Sequence, residues 1–495
     1  MTSLARLAED VLERFGDRDV LWFEGTWHRS GELAGRARRA AAGLVGLGVR
    51  AGDRVVVVMA NCPEVGLAYG ALWRAGAVPT PALFLLTEDE LRHVVVDSGA
   101  VAVVTTPDFL AKVQAAAGGV PVVVVGGPGG VPWEELEAAP ELPVVDRDGT
   151  DLAALLYTGG TTGRSKGVAL THDGLSAAGK AAAEVGHRPG VTANIVPLPL
   201  AHAYGLLLTV AGLHPLEPAT THLMRWFDPA GWVGIVEEHR LQQGALVPAM
   251  IQSLLSLPLE EHDLSCLVRL RCGAAPLARE VAEELERRIP TVELAEGYGC
   301  TESSALISTQ PTGERRLGSV GRPIPGVQVR IELPDGGTAA AGQDGEICVR
   351  GATLMRGYWN SPEATAFALR DGWLHTGDVG HLDEDGWLYV VDRLKDLVIR
   401  NGFNVYPRDV EDVLLAHPAV AAAAVVGRPD PRVGEEVVAF VQLHPGAEAG
   451  DLVAWSKERL GAHKYPREVR VVDAVPLTSV MKTDRKALRA LLMSE

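Results

Sequence analysis

Short apolar runs accompanied by amphipathic stretches fill the first 330 residues of the chain. Three runs, RVVVVM (54–59), AVAVVTT (100–106) and VPVVVV (120–125), lack the strict alternation of a strand with one solvent-exposed face. Stretches with helical spacing, such as residues 32–46 and 62–75, lie beside them. Runs of this kind are typical of parallel strands buried on both faces and joined by helical crossovers. The pattern predicts a large α/β body with mostly parallel sheets.

The pattern changes near residue 318. The segments GSVGRPIPGVQVRI (318–331), GEICVRG (345–351) and GWLYVVDR (386–393) are short, alternating and bounded by glycine or proline. Alternation between turn residues favours antiparallel strands with one solvated face. We therefore expect a small antiparallel β subdomain attached to the α/β body.

The last hundred residues have a helix and strand pattern of their own. YPRDVEDVLLAH (406–417) has Pro407 where the first turn of a helix would lie, VAAAAVVG and EEVVAFVQL have the composition of strands, and AGDLVAWSKERLG has that of a helix. We therefore predict an N-terminal domain over residues 1–394 and a small α+β C-terminal domain over residues 395–495.

Composition and charge narrow the function. The 495 residues carry a formal net charge of −17, which disfavours nucleic acid or an anionic membrane as a partner. The N-terminal segment has the spacing of an amphipathic helix rather than of a signal peptide, and no apolar run reaches the length of a membrane span. Five scattered cysteines without a CxxC pair indicate reduced thiols and make a zinc site improbable. A cytoplasmic enzyme is the expectation.

The loop YTGGTTGRSKGV (157–168) suits a phosphate. Glycine lets backbone N–H groups turn toward an anion, threonine adds O–H donors, and Lys166 adds a positive charge. The P-loop pattern of nucleotide triphosphatases does not match, because Lys166 follows Ser165 and precedes Gly167. An ordinary surface turn of the same composition is the alternative that the loop alone leaves open.

Four further stretches follow this loop in order, and with it they identify a family resemblance. They are PLPLAHAYG (197–205), AEGYGCTESS (295–304), WLHTGDVG (373–380) with DRLKD (392–396), and PLTSVMKTDRKAL (476–488). Together the five resemble the signature motifs of the adenylate-forming superfamily of acyl- and aryl-CoA synthetases, luciferases and peptide-synthetase adenylation domains. The resemblance spans nearly the whole chain and is greatest to the acyl-CoA synthetases.

The resemblance implies a two-step ligation that uses ATP, Mg²⁺ and coenzyme A. A carboxylate attacks the α-phosphate of ATP to give an acyl-AMP and pyrophosphate, and a thiol then displaces AMP. A free carboxylate is a poor electrophile, so conversion to a mixed anhydride makes it reactive. The enzyme must offset the charge that gathers on phosphorus and on the leaving phosphates, for which cations and oriented N–H groups are suited.

By this resemblance the loop residues bind the leaving phosphates and several further residues bind the rest of the nucleotide. The phosphate contacts are Thr158, Gly160, Thr161, Thr162 and Lys166. The remaining nucleotide contacts are Gly273, Ala274, Ala275, Glu296, Gly297, Tyr298, Thr301, Asp378 and Arg393. Tyr298 is expected to stack on adenine against the CGAAPL backbone, Thr301 to bond the α-phosphate, and Asp378 with Arg393 to hold the ribose.

Glu302 is implied to be the magnesium ligand, with Thr158 beside it, because a hard cation that bridges phosphates prefers oxygen ligands. Lys482 is implied to be the catalytic lysine that bridges the substrate carboxylate and the α-phosphate. The chain departs from the usual family wording at Gly159, where serine is frequent, at Arg164-Ser165, where proline often precedes the lysine, and at Met481, where glycine is usual. No charge that the chemistry needs is lost.

The resemblance also implies a mobile C-terminal domain. Lys395 stands at the family's hinge, and a rotation there would exchange Lys482 for Gly402 and Phe403, which would line a thiol tunnel. An N-G pair before a strand is equally the signal of a plain hairpin.

The acyl pocket is expected to use His202, Val247, Met250, Gly297 and Gly299. His202 is expected at the mouth of this pocket near the substrate carboxylate, and it is predicted as a catalytic residue together with Lys482, Glu302 and Thr158. Amino-acid-activating members carry an aspartate in the segment that matches PLPLAHAYG, which here has no acidic residue, so a lipophilic acyl or aryl acid is favoured. A structural histidine packed against Tyr204 is the alternative for His202.

CoA is the favoured acceptor. Relatives that load a carrier protein often carry an insertion after the GYGCTE region, whereas only a short turn lies between Arg330 and Cys348 here. An acyl-AMP ligase that loads a carrier protein, and a catalytically idle relative that binds nucleotide or acyl ligand, stay as alternatives. The acid itself and the oligomeric state are open.

Overall fold

The computed structural model describes residues 3–158, 164–477 and 483–493. The α-helices of these residues, numbered in chain order, are α1 (Leu4–Phe15), α2 (Ser30–Gly46), α3 (Pro63–Arg74), α4 (Glu88–Ser98), α5 (Leu110–Ala116), α6 (Trp133–Glu137), α7 (His172–Val185), α8 (Ala203–Ala211), α9 (Pro229–His239), α10 (Pro248–Leu255), α11 (Arg279–Arg288), α12 (Pro362–Ala368), α13 (Pro407–Leu415), α14 (Leu452–Arg459) and α15 (Arg485–Met493). Helix α1 confirms the amphipathic helix predicted at the N-terminus.

The strands of the described residues fall into five sheets. In chain order they are β1 (Asp19–Phe23), β2 (Thr26–Arg29), β3 (Arg54–Val58), β4 (Val78–Pro81), β5 (Ala102–Thr105), β6 (Val122–Val124), β7 (Val131–Pro132), β8 (Leu152–Thr158), β9 (Lys166–Thr171), β10 (Ala193–Val196), β11 (Thr220–Leu223), β12 (Gln243–Leu246), β13 (Arg269–Cys272), β14 (Glu293–Tyr298), β15 (Ser308–Thr309), β16 (Arg322–Pro323), β17 (Val327–Glu332), β18 (Gly345–Gly351), β19 (Gly357–Tyr358), β20 (Leu369–Arg370), β21 (Trp373–Leu382), β22 (Leu388–Arg393), β23 (Val398–Arg400), β24 (Phe403–Val405), β25 (Val420–Asp430), β26 (Gly434–Leu443) and β27 (Glu468–Val471). Short 3₁₀ turns lie at Pro107–Phe109, Leu259–Glu261 and Thr301–Ser303.

The predicted parallel sheet is confirmed in the first third of the chain. Its strands run in the order β4-β3-β5-β6-β7, and all neighbours are parallel. The four consecutive valines of β3 are almost completely buried because helices pack on both faces of the sheet.

A second, larger sheet continues the α/β body. Its order is β16-β15-β14-β13-β12-β10-β11-β1-β2, with the parallel part running from β14 to β1. The β1–β2 hairpin joins its far edge, where Leu21 pairs with Thr221 across two hundred residues of chain. The parallel strands β13 and β14 end at Cys272 and Tyr298, and their carboxyl ends face the cleft described below.

Two smaller sheets complete the N-terminal part. Strands β8 and β9 form an antiparallel hairpin, and β19 pairs with the other side of β9. Strands β17, β18, β21, β20 and β22 form an antiparallel sheet, as the change of pattern near residue 318 predicted.

The C-terminal residues form a sheet of their own in the order β24-β23-β26-β25, with β27 on β26. Helices α13 and α15 pack against β25. This α+β unit confirms the predicted fold class. All five cysteines are free, and within the described ranges no helix combines the length and the apolar character that a membrane crossing requires.

One buried amide joins the two parallel sheets. Asn61, which is 4% exposed just past the end of β3, donates from Nδ2 to the carbonyls of Leu198 (2.9 Å) and Met224 (3.0 Å). Its Oδ1 accepts from the N–H of Leu200 at 2.9 Å. These three carbonyl and N–H groups belong to the segments that follow β10 and β11, so one side chain fixes the two sheets relative to each other.

We expect Asn61→Ala to lower the free energy of unfolding by about 2–4 kcal/mol, because it leaves buried backbone groups without partners. The midpoint of urea unfolding, followed by tryptophan fluorescence, measures the change. Gln114→Ala is the matched control, since the Gln114 side chain donates a single hydrogen bond from Nε2 to the carbonyl of Gly129 at an exposed site, and its loss should cost less than about 0.5 kcal/mol. Equal midpoints for the two variants would contradict the role of Asn61.

Candidate active site

A cleft of about 3580 Å³ lies between the α/β body, the antiparallel sheet and the C-terminal unit. Most of the predicted site residues that the structure describes line it together: Thr158, Lys166, His202, Ala274, Ala275, Glu296, Gly297, Tyr298, Gly299, Thr301, Glu302, Asp378, Arg393 and Lys395. These residues come from segments up to 237 positions apart, so the fold brings the sequence motifs to one place. Gly160, Thr161, Thr162 and Lys482 lie outside the described residues.

Strand pairing fixes the base of the phosphate-type loop. Thr158 is the last residue of β8 and Lys166 the first of β9, and the two are paired directly across the hairpin. His93 of α4 donates from Nε2 to the carbonyl of Ser165 at 2.8 Å and ties the returning strand to a neighbouring helix. The side chains of Lys166 and Thr158 therefore start from directly opposite positions at the open end of the hairpin.

The side chain of one tyrosine, Tyr358, contacts both the lysine of this loop and the predicted metal ligand. The Tyr358 hydroxyl donates to Glu302 Oε1 at 2.8 Å, while the ammonium of Lys166 lies 5.2 Å from the centre of the Tyr358 ring. Burial and the adjacent carboxylate raise the pKa of Tyr358, so the phenol keeps its proton and donates. Glu302 keeps Oε2 without a hydrogen bond to any other described residue, which suits a carboxylate that binds a hard cation.

Asp378 is held by two partners at the other side of the cleft. The Tyr298 hydroxyl donates to Asp378 Oδ2 at 2.6 Å, and Arg393 Nε lies 3.0 Å from Oδ1. Asp378 and Arg393 face each other across the β21–β22 pair, so the sheet register sets this ion pair. Asp378 is 5% exposed, and its negative charge raises the pKa of Arg393.

The carboxyl ends of β13 and β14 form a wall of backbone. Ala274 takes a φ of 69°, a left-handed conformation that is unfavourable for alanine and turns the chain away from the sheet. A Cβ added to Gly273 would lie 3.1 Å from the carbonyl oxygen of Gly297, a tight contact, so a side chain here would push the two strand ends slightly apart. Ala274, Ala275 and Gly297 thus border the cleft at these strand ends.

Glu296 is a buried acid in the same wall. Its residue is 8% exposed, and burial raises the pKa of its carboxyl to about 7, against the opposing effect of Arg408 and Arg315. At neutral pH this carboxyl therefore exists partly as the neutral acid, which can donate a hydrogen bond.

The part of the cleft around His202, where the acyl group was predicted to bind, is lined by small residues. Ala201 and Ala203 flank His202, which caps α8 by accepting the N–H of Tyr204 on Nδ1 at 3.2 Å. Pro248 and Ala249 of α10 add to this wall.

Val247 and Met250 lie elsewhere than the acyl-pocket prediction implied. They are 8% and 7% exposed and pack in the hydrophobic cluster under the large sheet. The cleft is instead lined by Pro248 and Ala249, their neighbours in sequence.

The C-terminal unit meets the cleft through two segments. Arg408 of α13 donates to the carbonyls of Val390 (2.8 Å) and Leu277 (3.3 Å), which joins the unit to the N-terminal part. Leu477 and Thr483, which pair with each other on either side of residues 478–482, both line the cleft.

Lys395 also lines the cleft, and burial with the nearby Arg393 lowers its pKa. Gly402 and Phe403 lie outside the cleft. Gly402 lies in the exposed turn of the β23–β24 hairpin, where it and Asn401 both have positive φ, and Phe403 begins β24 with its exposed ring against His463. In this arrangement the hairpin interpretation of the N-G pair holds.

Comparison with known proteins decides the family. The sequence profile of the AMP-binding enzyme matches residues 8–359, and that of the AMP-binding enzyme C-terminal domain matches residues 409–482. The chain belongs to the AMP-binding enzyme family. The predicted resemblance to adenylate-forming, acyl-CoA synthetase-like enzymes is thereby confirmed.

Relatives cover nearly the whole of this AMP-binding enzyme. Feruloyl-CoA synthase from Amycolatopsis sp is 39% identical over 466 residues, which are 92% of this chain and 92% of the relative. 4-Coumarate–CoA ligase 5 from Oryza sativa subsp. japonica is 36% identical over 515 residues, covering 98% and 94%. The crystal structure of ATP-bound MatB from Rhodopseudomonas palustris superposes with a TM-score of 0.91 at 30% identity, covering 98% of each chain.

Two residues of the AMP-binding enzyme's cleft were missed by the sequence reasoning. His93 and Tyr358 lie in segments without a recognised motif. Each is brought to the site by a contact with a segment distant in sequence: His93 bonds to Ser165, and the strand of Tyr358 pairs with β9. The aromatic residue in GYW (357–359), flanked by glycine, was the available signal for Tyr358.

The raised pKa of Glu296 predicts a pH-dependent stability. Between about pH 4.5 and 7 the folded protein keeps a proton on Glu296 that the unfolded chain loses, so this group lowers the free energy of unfolding as pH rises through that window. We expect the melting temperature of Glu296→Gln to fall less between pH 5 and pH 8 than the melting temperature of the wild type does. Glu363→Gln, at an exposed position of α12, should leave the difference unchanged. An unchanged pH difference in Glu296→Gln would exclude the buried-acid assignment.

Proposed function

We propose that this chain activates a lipophilic carboxylic acid, with an aromatic acid favoured, as an acyl-AMP and transfers the acyl group to CoA. One observation carries the proposal: Thr158, Lys166, Glu302, Asp378 and Arg393, from four separate segments, line a single cleft. A triphosphate with its metal and its ribose needs all of these groups at once. A surface turn in place of the phosphate loop would require no such convergence.

The first half-reaction places heavy negative charge on the phosphates. The substrate carboxylate oxygen attacks the α-phosphorus, the bond to the bridging oxygen of the β-phosphate breaks, and pyrophosphate leaves. Lys166 and the Thr158 hydroxyl stand where the loop can hold the leaving phosphates, and we assign Gly160, Thr161 and Thr162 to the same role from the motif. Preorganised charges and donors of this kind lower the barrier because they do not need to reorient during the reaction.

Glu302, with Thr158, is proposed to hold Mg²⁺. The fit is supported by the oxygen donors at this position and by the Glu302 Oε2 atom, which no other described side chain occupies. A bound Mg²⁺ would neutralise phosphate charge. Thr301, beside Glu302, is proposed to donate to the α-phosphate.

Asp378 and Arg393 are proposed to hold the ribose. A carboxylate offers about four lone-pair positions, of which Tyr298 and Arg393 use two, so acceptors remain for both ribose hydroxyls. The backbone wall at Gly273, Ala274 and Ala275 is the proposed surface for adenine, with Glu296, Gly297 and the Tyr298 ring at its edge.

Lys482 is proposed to bridge the substrate carboxylate and the α-phosphate during adenylation. Its motif supports the role, and the residues on either side of its segment, Leu477 and Thr483, line the cleft. Lys395 is proposed as the hinge, with a domain boundary beside it. The second half-reaction, in which the CoA sulfur attacks the acyl carbon, loses its proton and expels AMP, would follow a rotation that brings Gly402 and Phe403 to the cleft.

The acid is proposed to be lipophilic and most suitably aromatic. Alanine and glycine walls at Ala201, Ala203, Ala249, Gly297 and Gly299 leave a broad apolar slot near His202. The relatives named for feruloyl- and 4-coumarate–CoA formation, which act on aromatic acids by their names, support this choice.

The free cysteines favour a reducing compartment, so we propose the cytoplasm as the location of this protein.

Pyrophosphate exchange over a panel of short, medium and long-chain fatty acids and aromatic acids tests this function. We expect exchange with aromatic acids to exceed that with short fatty acids by at least about tenfold in kcat/KM. AMP release that requires free CoA would identify the acceptor, whereas release only with a carrier protein would overturn the CoA assignment. Nucleotide binding without exchange for any acid would overturn the enzyme assignment.

We expect Lys482→Ala to lower the rate of adenylation by about 10² or more, because a preorganised positive charge is lost from the transition state. Pyrophosphate exchange with the preferred acid measures this rate. Lys457→Ala, which removes an exposed lysine from helix α14 of the same domain, is the matched control and should retain full activity. Normal exchange by Lys482→Ala would refute the assigned role.

A further inference from the structure

We propose that Tyr358 is a positioning residue that keeps Lys166 and Glu302 apart and leaves each of them available to the nucleotide and its metal. This inference rests on the proposed function. Among the described residues no ion pair joins Lys166 to Glu302, although both approach the same phenol. Such a pair would neutralise the two charges that the triphosphate and a cation need.

The backbone fixes the tyrosine beside the lysine. Strand β19 pairs with β9, so that Tyr358 lies opposite Val168, two residues beyond Lys166. The N–H groups on either side of this pair strengthen it: Arg356 donates to the carbonyl of Ala169 at 2.8 Å and Trp359 to that of Gly167 at 2.7 Å. The backbone of Tyr358 therefore has a fixed position relative to the backbone of Lys166.

The same segment fixes the tyrosine beside the glutamate. The N–H of Met355 donates to the carbonyl of Glu302 at 2.7 Å, and the Ser304 hydroxyl donates to the carbonyl of Thr353 at 2.7 Å. Residues 353–359 thus bond to the 3₁₀ turn at Thr301–Ser303 at one end and to β9 at the other. A single short segment sets the spacing between two charged groups that lie 136 positions apart in sequence.

The side chain of Tyr358 does two separable things. Its hydroxyl occupies Oε1 of Glu302, which leaves Oε2 as the oxygen for a cation and prevents the carboxylate from turning freely. Its ring attracts the ammonium of Lys166 without removing the lysine's charge, in the way that aromatic faces hold cations. The O–H group therefore affects the metal, and the ring affects the phosphates.

Tyr358→Phe tests the hydroxyl while it keeps the ring. ATP with Mg²⁺ is expected to raise the melting temperature, and we expect the Mg²⁺ concentration for half of this rise to be about tenfold higher in the variant than in the wild type. The affinity for ATP at saturating Mg²⁺ should stay unchanged within about twofold. This readout requires no acid substrate. Pyrophosphate exchange with a substrate of the wild type should show the same shift in Mg²⁺ requirement and an unchanged KM for the acid.

Tyr358→Leu removes the ring as well. With no spacer, Lys166 and Glu302 can pair directly, so we expect both the Mg²⁺ requirement and the apparent dissociation constant for ATP to rise at least about fivefold. Adding Lys166→Ala to Tyr358→Leu should then restore the Mg²⁺ requirement to that of Tyr358→Phe, because the competing ammonium is gone.

Tyr389→Phe is the matched control, since its hydroxyl lies 3.5 Å from Asp383 in the antiparallel sheet and outside the cleft. A Mg²⁺ requirement of Tyr358→Phe within twofold of the wild type would overturn the inference. The proposed function and the positioning role can fail separately. If the wild type shows no pyrophosphate exchange with any acid, but Tyr358→Phe still raises the Mg²⁺ concentration needed for ATP to stabilise the protein, the proposed function is overturned and the positioning role stands.

Discussion

Pairing of strand β9 with neighbours on both sides is the constraint on which the reactive end of the cleft depends. On one side β8 places Thr158 opposite Lys166, and on the other side β19 places Tyr358 beside the same lysine. Hydrogen-bonded strands hold their spacing to a fraction of an ångström, whereas long lysine and glutamate side chains do not. The charges that surround a triphosphate are thus oriented by a small sheet rather than by their mutual attraction.

Neutral donors recur where the cleft holds a carboxylate. Tyr358 holds Glu302 and Tyr298 holds Asp378, in each case by an O–H that donates to one carboxylate oxygen. A phenol orients a carboxylate without cancelling its charge, which a lysine or arginine would do. The enzyme keeps its negative groups ready for a metal and for ribose hydroxyls, although Arg393 shares Asp378.

The large sheet provides the other half of the site. Its parallel strands β13 and β14 end at the cleft, where open α/β sheets generally bind their ligands because loops diverge there. At these strand ends Ala274 takes a left-handed conformation and Gly273 approaches the carbonyl of Gly297 closely. Asn61 fixes this sheet to the first one, so the two parallel sheets keep a constant position relative to each other.

The local pattern of the sequence was sufficient for the elements and the fold class. Buried runs such as the β3 valines, the alternation beyond residue 318 and the helix at Pro407 are local signals, since burial and turn chemistry act over a few residues. The five motifs were equally sufficient to predict which segments meet. The family resemblance, rather than periodicity, connected Thr158 with Asp378.

Side-chain placement and distant pairing were decided only by the tertiary structure. Val247 and Met250 face the core and their neighbours Pro248 and Ala249 face the cleft, because the side that α10 buries depends on what packs against it. The pairing of Leu21 with Thr221 and the contacts of Tyr358 with Lys166 and Glu302 join segments far apart in sequence. Local propensity contains no information about such partners, since a hydrogen bond or a ring contact forms only after the chain has brought both groups together.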